Sequence, residues 1–143
     1  MAYCALADIQ RLIEDRHIIT LSNDDPAAIE PHLPTVLAAI EQADRLIDSY
    51  AGLQRTVPLS PVPELVRTLS ATLTVFFLYR RRGQVPEIWE QQYRNDCAVL
   101  QKIGEGRLAF GASETGREAP PERALTSSSA KTLGGSGGLL EGF

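Results

Sequence analysis

The stretch from Pro61 to Gly83 constrains this chain most strongly, because it is the longest strongly apolar run in the sequence. Its large apolar side chains recur at spacings of three and four residues, which is the periodicity of an α-helix. Pro63 suits the first helical turn, and three consecutive arginines before Gly83 suit the last turn. Charged and hydroxyl side chains within the run argue against a membrane span, which needs about 20 apolar residues. The sequence therefore predicts a central helix in a small helical protein.

The C-terminal half of this predicted helix is apolar on all sides, reading Val75-Phe76-Phe77-Leu78-Tyr79. A helix of this kind is buried on every side, either by its own chain or by a partner's chain. We interpret the helix as carrying more apolar surface than one small domain easily covers. Phe76 and Phe77 are therefore hypothesised to lie in an interface with a partner.

Length, charge and cysteine usage indicate one small domain followed by a tail. The chain has 143 residues, which allows a core that folds unaided. Its net charge of −4 argues against a strongly basic nucleic-acid-binding protein. Cys4 and Cys97 are interpreted as small buried side chains in a reducing compartment, with a disulfide between them as the less favoured alternative. The N-terminus lacks the basic and long apolar regions of a secretory signal.

Apolar periodicity and the positions of proline and glycine predict three further helices. Their expected ranges are Ala5 to Arg16, Pro34 to Ala51 with Pro31 as an alternative start, and Pro86 to Gly104. Residues 17–21 are expected to form a short apolar link, with extended conformation as one alternative, and residues 22–26 a solvated turn. Residues 53–61 form a proline-punctuated connector that cannot be helical throughout. The predicted fold class is an all-α bundle of four or five helices.

The composition changes after the last predicted helix. Residues 126–143 contain four serines and five glycines, which is typical of a flexible linker. No strand precedes the glycines and no Gly-Lys-Ser/Thr follows them, so they do not predict a phosphate-binding loop. We therefore divide the chain into a helical domain, residues 1–111, and a tail, residues 112–143, that becomes ordered on partner contact. The apolar side chains expected to anchor this tail are Leu125, Leu133, Leu139, Leu140 and Phe143.

No catalytic or ligand-binding motif stands out in the sequence. His17 and His32 both lie next to turns, and no His/Cys cluster with metal-ligand spacing occurs. Asp44 and Asp48 are four residues apart on one predicted helix, and we interpret them as a solvated face rather than as paired catalytic carboxylates. The sequence therefore predicts a protein that is not an enzyme and that has no metal or cofactor.

The arginine triplet at the end of the central helix supports two interpretations. Arg80, Arg81 and Arg82 could contact phosphate or an acidic partner surface. Alternatively, they complement the helix dipole and aid solubility, which is the interpretation we favour. The stripe formed by Trp89, Tyr93 and Cys97 is expected to be core rather than a ligand pocket.

Several segments of the helical body carry a family resemblance. They are Met-Ala-Tyr-Cys-Ala-Leu-Ala-Asp-Ile at residues 1–9, Ile19 to Asp24, Ile40 to Leu69 with its Pro58-Leu59-Ser60-Pro61-Val62-Pro63 connector, Leu78 to Arg82, Val85 to Glu87, and Gly106 to Leu108. On these segments the chain resembles Mu-like prophage head–tail joining proteins over about residues 1–111, with the tail outside the resemblance. Ala5 and Thr56 depart from the pattern, where a Thr helix cap and an aromatic residue are common.

The resemblance implies a structural role in the virion of a tailed bacteriophage. Such connector adaptors form a homo-oligomeric ring, of about twelve subunits, below the portal. The expected partners are other copies of the chain, the portal protein and a tail-completion or tail terminator protein. DNA would pass through the channel without sequence-specific binding. The expected location is the virion neck, and the host cytoplasm during assembly, with no membrane contact.

Two sets of candidate residues follow from these hypotheses. A subunit or portal interface is expected to use Phe76, Phe77, Arg80, Arg81, Arg82, Leu125, Leu133, Leu139, Leu140 and Phe143. The alternative function is a DNA-binding helical module, such as a small packaging (terminase) subunit. That module would contact phosphates through Arg67 and the arginine triplet.

Overall fold

The computed structural model describes residues 2–109, and within them the chain forms five helices and no strand. The helices are α1 Leu6–Gln10, α2 Asp15–Ser22, α3 Leu33–Ala51, α4 Glu64–Arg81 and α5 Glu87–Gly104. The predicted all-α fold class is therefore confirmed. The predicted tail and its five anchor residues lie outside the described residues.

The three long helices run alternately up and down. Asp44 of α3 meets Ser70 of α4, while the start of α3 lies beside Phe77 near the end of α4, so these helices are antiparallel. Thr72 and Phe76 of α4 meet Asp96 and Tyr93 of α5 in the same antiparallel sense. One end of the bundle therefore holds the start of α3, the end of α4 and the start of α5.

Helix α4 lies at the centre of the bundle, as the sequence predicts. All ten residues from Leu69 to Leu78 are buried, including Ser70, Thr72 and Thr74. Each of these hydroxyls donates a hydrogen bond, either to a carboxylate or to a backbone carbonyl. Buried hydroxyls need such partners, since an unpaired polar group in a core is costly.

The rings of Phe76 and Phe77 are covered by the chain itself. Their exposed fractions are 8% and 7%, and Phe76 stacks on Tyr93 with ring centroids 4.1 Å apart. Phe77 meets the same tyrosine edge-on at 6.2 Å. The expectation that this helix exceeds what one domain covers is therefore wrong, because α3 and α5 flank it and supply the missing neighbours. Neither ring offers the open surface that the interface hypothesis requires.

The N-terminal region contains two short helices rather than one. The chain leaves helical geometry after α1, and Glu14 is extended with φ −69° and ψ 150° before α2 begins. Residues 17–21 lie inside α2, so the expected apolar link is wrong. The break lets Ile9 of α1 and Ile18 of α2 pack into one cluster with Val36 and Ile40 of α3. Core burial thus overrides the helical periodicity of the first sixteen residues.

The other predicted helices agree with the structure within a few residues. α3 begins one residue before Pro34 and ends at Ala51, and α5 follows Pro86 and ends at Gly104. The proline-punctuated connector is not helical, and its Leu59 is buried against the core. In residues 2–109, no helix is both long enough and apolar enough to cross a membrane.

Candidate interaction surface

The carboxylate of Asp44 joins three parts of the chain inside the bundle. One of its oxygens, Oδ2, accepts a hydrogen bond from the backbone N–H of Tyr3 at 2.9 Å. The other, Oδ1, accepts one from the Ser70 hydroxyl at 2.6 Å. Asp44 is only 8% exposed, so the predicted solvated face is wrong at this position. Burial raises the pKa of Asp44, while the hydrogen bonds from Ser70 and Tyr3 oppose that rise.

The phenol of Tyr3 links this carboxylate site to the proline connector. Its hydroxyl donates to Oδ1 of Asp48 at 2.5 Å and accepts the backbone N–H of Leu59 at 2.9 Å. Burial, followed by the hydrogen bond to Asp48, raises the pKa of Tyr3 to about 12. Asp44 and Asp48 therefore hold the N-terminal segment in place through their hydrogen bonds to Tyr3.

A second buried carboxylate, Asp96, lies between α4 and α5. Its Oδ2 accepts the Thr72 hydroxyl at 2.5 Å, and its Oδ1 accepts the side-chain amide of Gln92 at 2.8 Å. Asp96 is 4% exposed, and burial raises its pKa against the effect of these two donors. Sequence reasoning missed it, although it stands at helical spacing between Tyr93 and Leu100 on the apolar face of α5.

The remaining reactive side chains give no sign of a catalytic centre in residues 2–109. No group of three or more His, Cys, Asp or Glu in that part of the chain could hold a metal ion. Cys4 is buried, Cys97 is half-buried, and both are free thiols. The ring of His32 contacts the Thr35 hydroxyl at 2.7 Å, and His17 lines an open groove described below.

Two of the three arginines at the end of α4 contact the loop between α2 and α3. Arg81 donates to the Leu21 carbonyl at 2.7 Å and to Oδ1 of Asp24 at 2.8 Å. Arg82 reaches the same oxygen of Asp24 at 3.2 Å. These ion pairs, which sequence reasoning missed, hold the loop against the end of the bundle.

These contacts leave fewer free charges for phosphate or for a partner. Arg67 lies 4.0 Å from Glu64, so three of the four arginines in the DNA-binding hypothesis have a carboxylate of their own chain nearby. Arg80 is exposed, and its guanidinium forms no ion pair with another described residue. Arg81 and Phe77 share the lining of a cavity of about 430 Å³ between α3 and α4. The DNA-binding alternative thus gains no support from this region.

A set of exposed apolar side chains, which we call the α3 ridge, lies at the start of α3 and in the loop before it. It consists of Leu33 and Leu37, which are four residues apart on the helix, and of Ile29 in the preceding loop. Their exposed fractions are 83%, 51% and 58%. Single exposed aliphatic side chains are normal on protein surfaces, but a run of them is typical of contact sites.

A groove, which we call the α1–α2 groove, opens beside the turn that joins these two helices. It is a shallow, open depression of about 430 Å³, lined by Gln10, Arg11, Leu12, Ile13, Glu14, His17, Tyr79 and Trp89. The rings of Tyr79 and Trp89 stack with centroids 6.5 Å apart and form its aromatic wall. Next to this wall, Ile88 is 72% exposed. The groove and the α3 ridge have no residue in common.

Comparison with known proteins identifies the family of this chain. The family described as Bacteriophage Mu, Gp36 matches residues 3–129. The chain is also 27% identical over 100 residues to the Mu-like prophage FluMu protein gp36 of Haemophilus influenzae, covering 70% of each chain. The family match continues past residue 111, so the expectation that the whole tail lies outside the resemblance is wrong for residues 112–129. With a match over most of its length and an all-helical body, the chain belongs to the bacteriophage Mu Gp36 family.

Proposed function

We propose that the protein is a structural, non-enzymatic component of the phage neck. It forms a ring adaptor between portal and tail, and DNA passes through the ring. The observation that carries this proposal is the Gp36 family match over residues 3–129, which includes the whole helical body. That body is also the part of the chain that resembles head–tail joining proteins.

The distribution of exposed apolar side chains supports an adaptor with two docking ends. Ile88 is 72% exposed at the end of the bundle where α3 and α5 begin. Leu53 and Leu108 are 69% and 38% exposed just beyond the ends of the same two helices. An adaptor contacts one protein above it and another below it, so it needs exposed apolar surface at both ends of the bundle. The proposed partners are the portal protein and a tail-completion or tail terminator protein.

The chemistry of the core agrees with a role that requires no catalysis. The buried carboxylates Asp44 and Asp96 are engaged by hydroxyl, amide and backbone donors from neighbouring helices or segments. Groups held in this way stabilise a fold and are not available to a substrate. Residues 112–143, which lie outside the described residues, are proposed to become ordered when the ring meets its partners.

Deleting the gene from an inducible prophage tests the proposed function. Electron microscopy of the lysate should show heads and tails that are assembled but not joined, and a plasmid copy of the gene should restore joined particles. Antibody labelling of the restored particles should mark the head–tail junction. Joined, infectious particles in the absence of the protein, or label confined to another part of the virion, would contradict the proposal.

A further inference from the structure

We propose that neighbouring copies of this chain contact each other by inserting the α3 ridge of one copy into the α1–α2 groove of the next. This inference rests on the proposed ring function. A ring requires a head-to-tail contact between two different surfaces of the same chain. The ridge and the groove are two such surfaces, since no residue belongs to both.

Both surfaces offer apolar side chains. The ridge presents three aliphatic side chains, of which Ile29 is 83% exposed. The groove offers Leu12, which is 39% exposed, and the aromatic wall of Tyr79 and Trp89. Aliphatic side chains against aromatic faces bury apolar area on both sides, which is the main favourable term in association.

Charges next to the two surfaces are of opposite sign. Glu30 follows Ile29 directly in sequence, is exposed, and forms no ion pair with another described residue. In the groove, the side chain of Arg11 is 77% exposed, and its contact with Asp8 is 3.5 Å long. The groove's acid, Glu14, already pairs with Arg16 at 2.7 Å. Arg11 is therefore the groove charge most available to a neighbour's Glu30.

The same charges disfavour a symmetric contact between two ridges. A two-fold contact of that kind would bring the Glu30 side chains of both copies towards each other, and like charges at an interface oppose association. Insertion of ridge into groove instead leaves one ridge and one groove open at the ends of every dimer. Further copies can add until the ring closes.

Three matched leucine-to-arginine variants of the full chain test the contact by sedimentation over a range of concentrations. Leu37→Arg blocks the ridge and Leu12→Arg blocks the groove, while Leu53→Arg changes an exposed leucine outside both surfaces. We expect the first two to weaken self-association by at least about tenfold, since each buries an arginine against apolar surface. Leu53→Arg should associate like the wild type. Circular dichroism checks that each variant keeps its helices.

Mixing the two blocked variants gives the decisive result. Leu37→Arg retains a working groove and Leu12→Arg retains a working ridge, so an equal mixture should form dimers and nothing larger. A symmetric contact predicts a different outcome, because one of the two variants would then self-associate as well as the wild type. That outcome would overturn the proposal, as would a wild type that stays monomeric at about 1 mM, where even a weak contact is half occupied.

A charge exchange provides a second test that does not depend on Leu12. Glu30→Arg and Arg11→Glu should each weaken association, and their equal mixture should restore pairing between unlike chains. Cross-linking from position 12 with isotope-labelled and unlabelled copies should join different chains at residues 29–37. Cross-links to residues 110–143 of the same chain would show that the groove has another occupant and would overturn the proposal. All these results concern purified protein, so they fail or succeed independently of the prophage deletion.

Discussion

On each side of helix α4, a buried hydroxyl of that helix donates a hydrogen bond to a carboxylate of a neighbouring helix, but the two carboxylates connect different parts of the chain. On one side, the Ser70 hydroxyl binds Asp44 of α3, and on the other, the Thr72 hydroxyl binds Asp96 of α5. Asp44 also accepts the backbone N–H of Tyr3, which lies 41 residues away in sequence. Asp96 takes its second bond from Gln92, one turn earlier on its own helix. The first site therefore fastens a distant segment, while the second only joins two helices that already pack together.

This difference predicts that removing Asp44 has the largest effect. In Asp44→Ala, the buried Tyr3 N–H loses its acceptor and the Ser70 hydroxyl keeps only the Cys4 sulfur, a weak acceptor 3.2 Å away, so we expect a loss of about 3 kcal/mol in the free energy of unfolding. Urea denaturation measures this loss. Hydrogen exchange should also show faster exchange at residues 3–9 than in α5.

The matched control for this variant is Tyr3→Phe, which removes the hydroxyl contacts with Asp48 and Leu59 but keeps the N–H bond to Asp44. It should destabilise the protein less than Asp44→Ala does. If both variants leave exchange at residues 3–9 unchanged, then Asp44 does not fasten the N-terminal segment.

Removing Asp96 should lower the free energy of unfolding less than removing Asp44 does, because the Thr72 hydroxyl has other hydrogen-bond acceptors. The Thr72 hydroxyl lies 3.2 Å from both the Thr68 and the Leu69 carbonyls, so it can turn to either one. We expect Asp96→Ala to lose roughly 1.5 kcal/mol of unfolding free energy in urea denaturation. Thr72→Val serves as the control on the other side of the contact. A loss from Asp96→Ala equal to that from Asp44→Ala would erase the distinction between the two sites.

The pH dependence of stability should also show the effect of burying the Asp96 carboxyl. Burial raises the pKa of its carboxyl above the ordinary value of 3.8, so the folded state binds more protons than the unfolded state between the two values. This contribution to stability is fully present below the ordinary value and is lost as the pH rises through the raised value. The unfolding free energy of Asp96→Asn minus that of the wild type should therefore be larger at about pH 7 than at about pH 4.

Urea denaturation of both proteins at the two pH values gives this difference, and the contribution of Asp44 cancels because both proteins contain it. A difference in unfolding free energy that does not change with pH would mean that Asp96 has the same proton affinity in the folded and unfolded states.

The smallest effect on the free energy of unfolding is expected for the surface contacts between the end of α4 and the loop after α2. Arg81 joins residues 57 and 60 positions away, yet the side chain of its partner Asp24 is 78% exposed. Surface ion pairs contribute little, so Arg81→Ala should lose only about 0.5 kcal/mol. Thermal unfolding at low and high salt measures this, with Arg82→Ala as the companion variant. A loss as large as that of Asp44→Ala would show that sequence separation, rather than burial, sets the strength of these contacts.

Local patterns predicted much of the fold. The spacing of apolar residues, with Pro34, Pro63 and Pro86 near the helix starts, indicated the three long helices within a few residues of their observed ends. The same reasoning failed at residues 11–21, where periodicity continued through a break that tertiary packing required. Glu14 and Asp15 before the spaced pair Ile18 and Leu21 were the available signal for a new helix start.

The sequence indicated less about the candidate interaction surface than about the helices. It singled out Phe76 and Phe77 for their apolar character, and the structure buries both beside Tyr93. It passed over Leu37 and Leu12, because an aliphatic residue at helical spacing looks the same whether a neighbouring helix covers it or not. The match to the bacteriophage Mu Gp36 family confirms the resemblance to Mu-like prophage proteins, which depends on the order of residues along the chain and not on which side chains are exposed.

The sequence by itself determined where the chain is helical over α3, α4 and α5, since helix formation depends on residues three or four apart and on turn residues at the ends. Only the tertiary structure decided which faces are covered. Burial of Phe76 needs a ring 17 positions away, and burial of Asp44 needs partners 41 and 26 positions away. Such contacts depend on how helices pack against one another, and no local pattern contains that information.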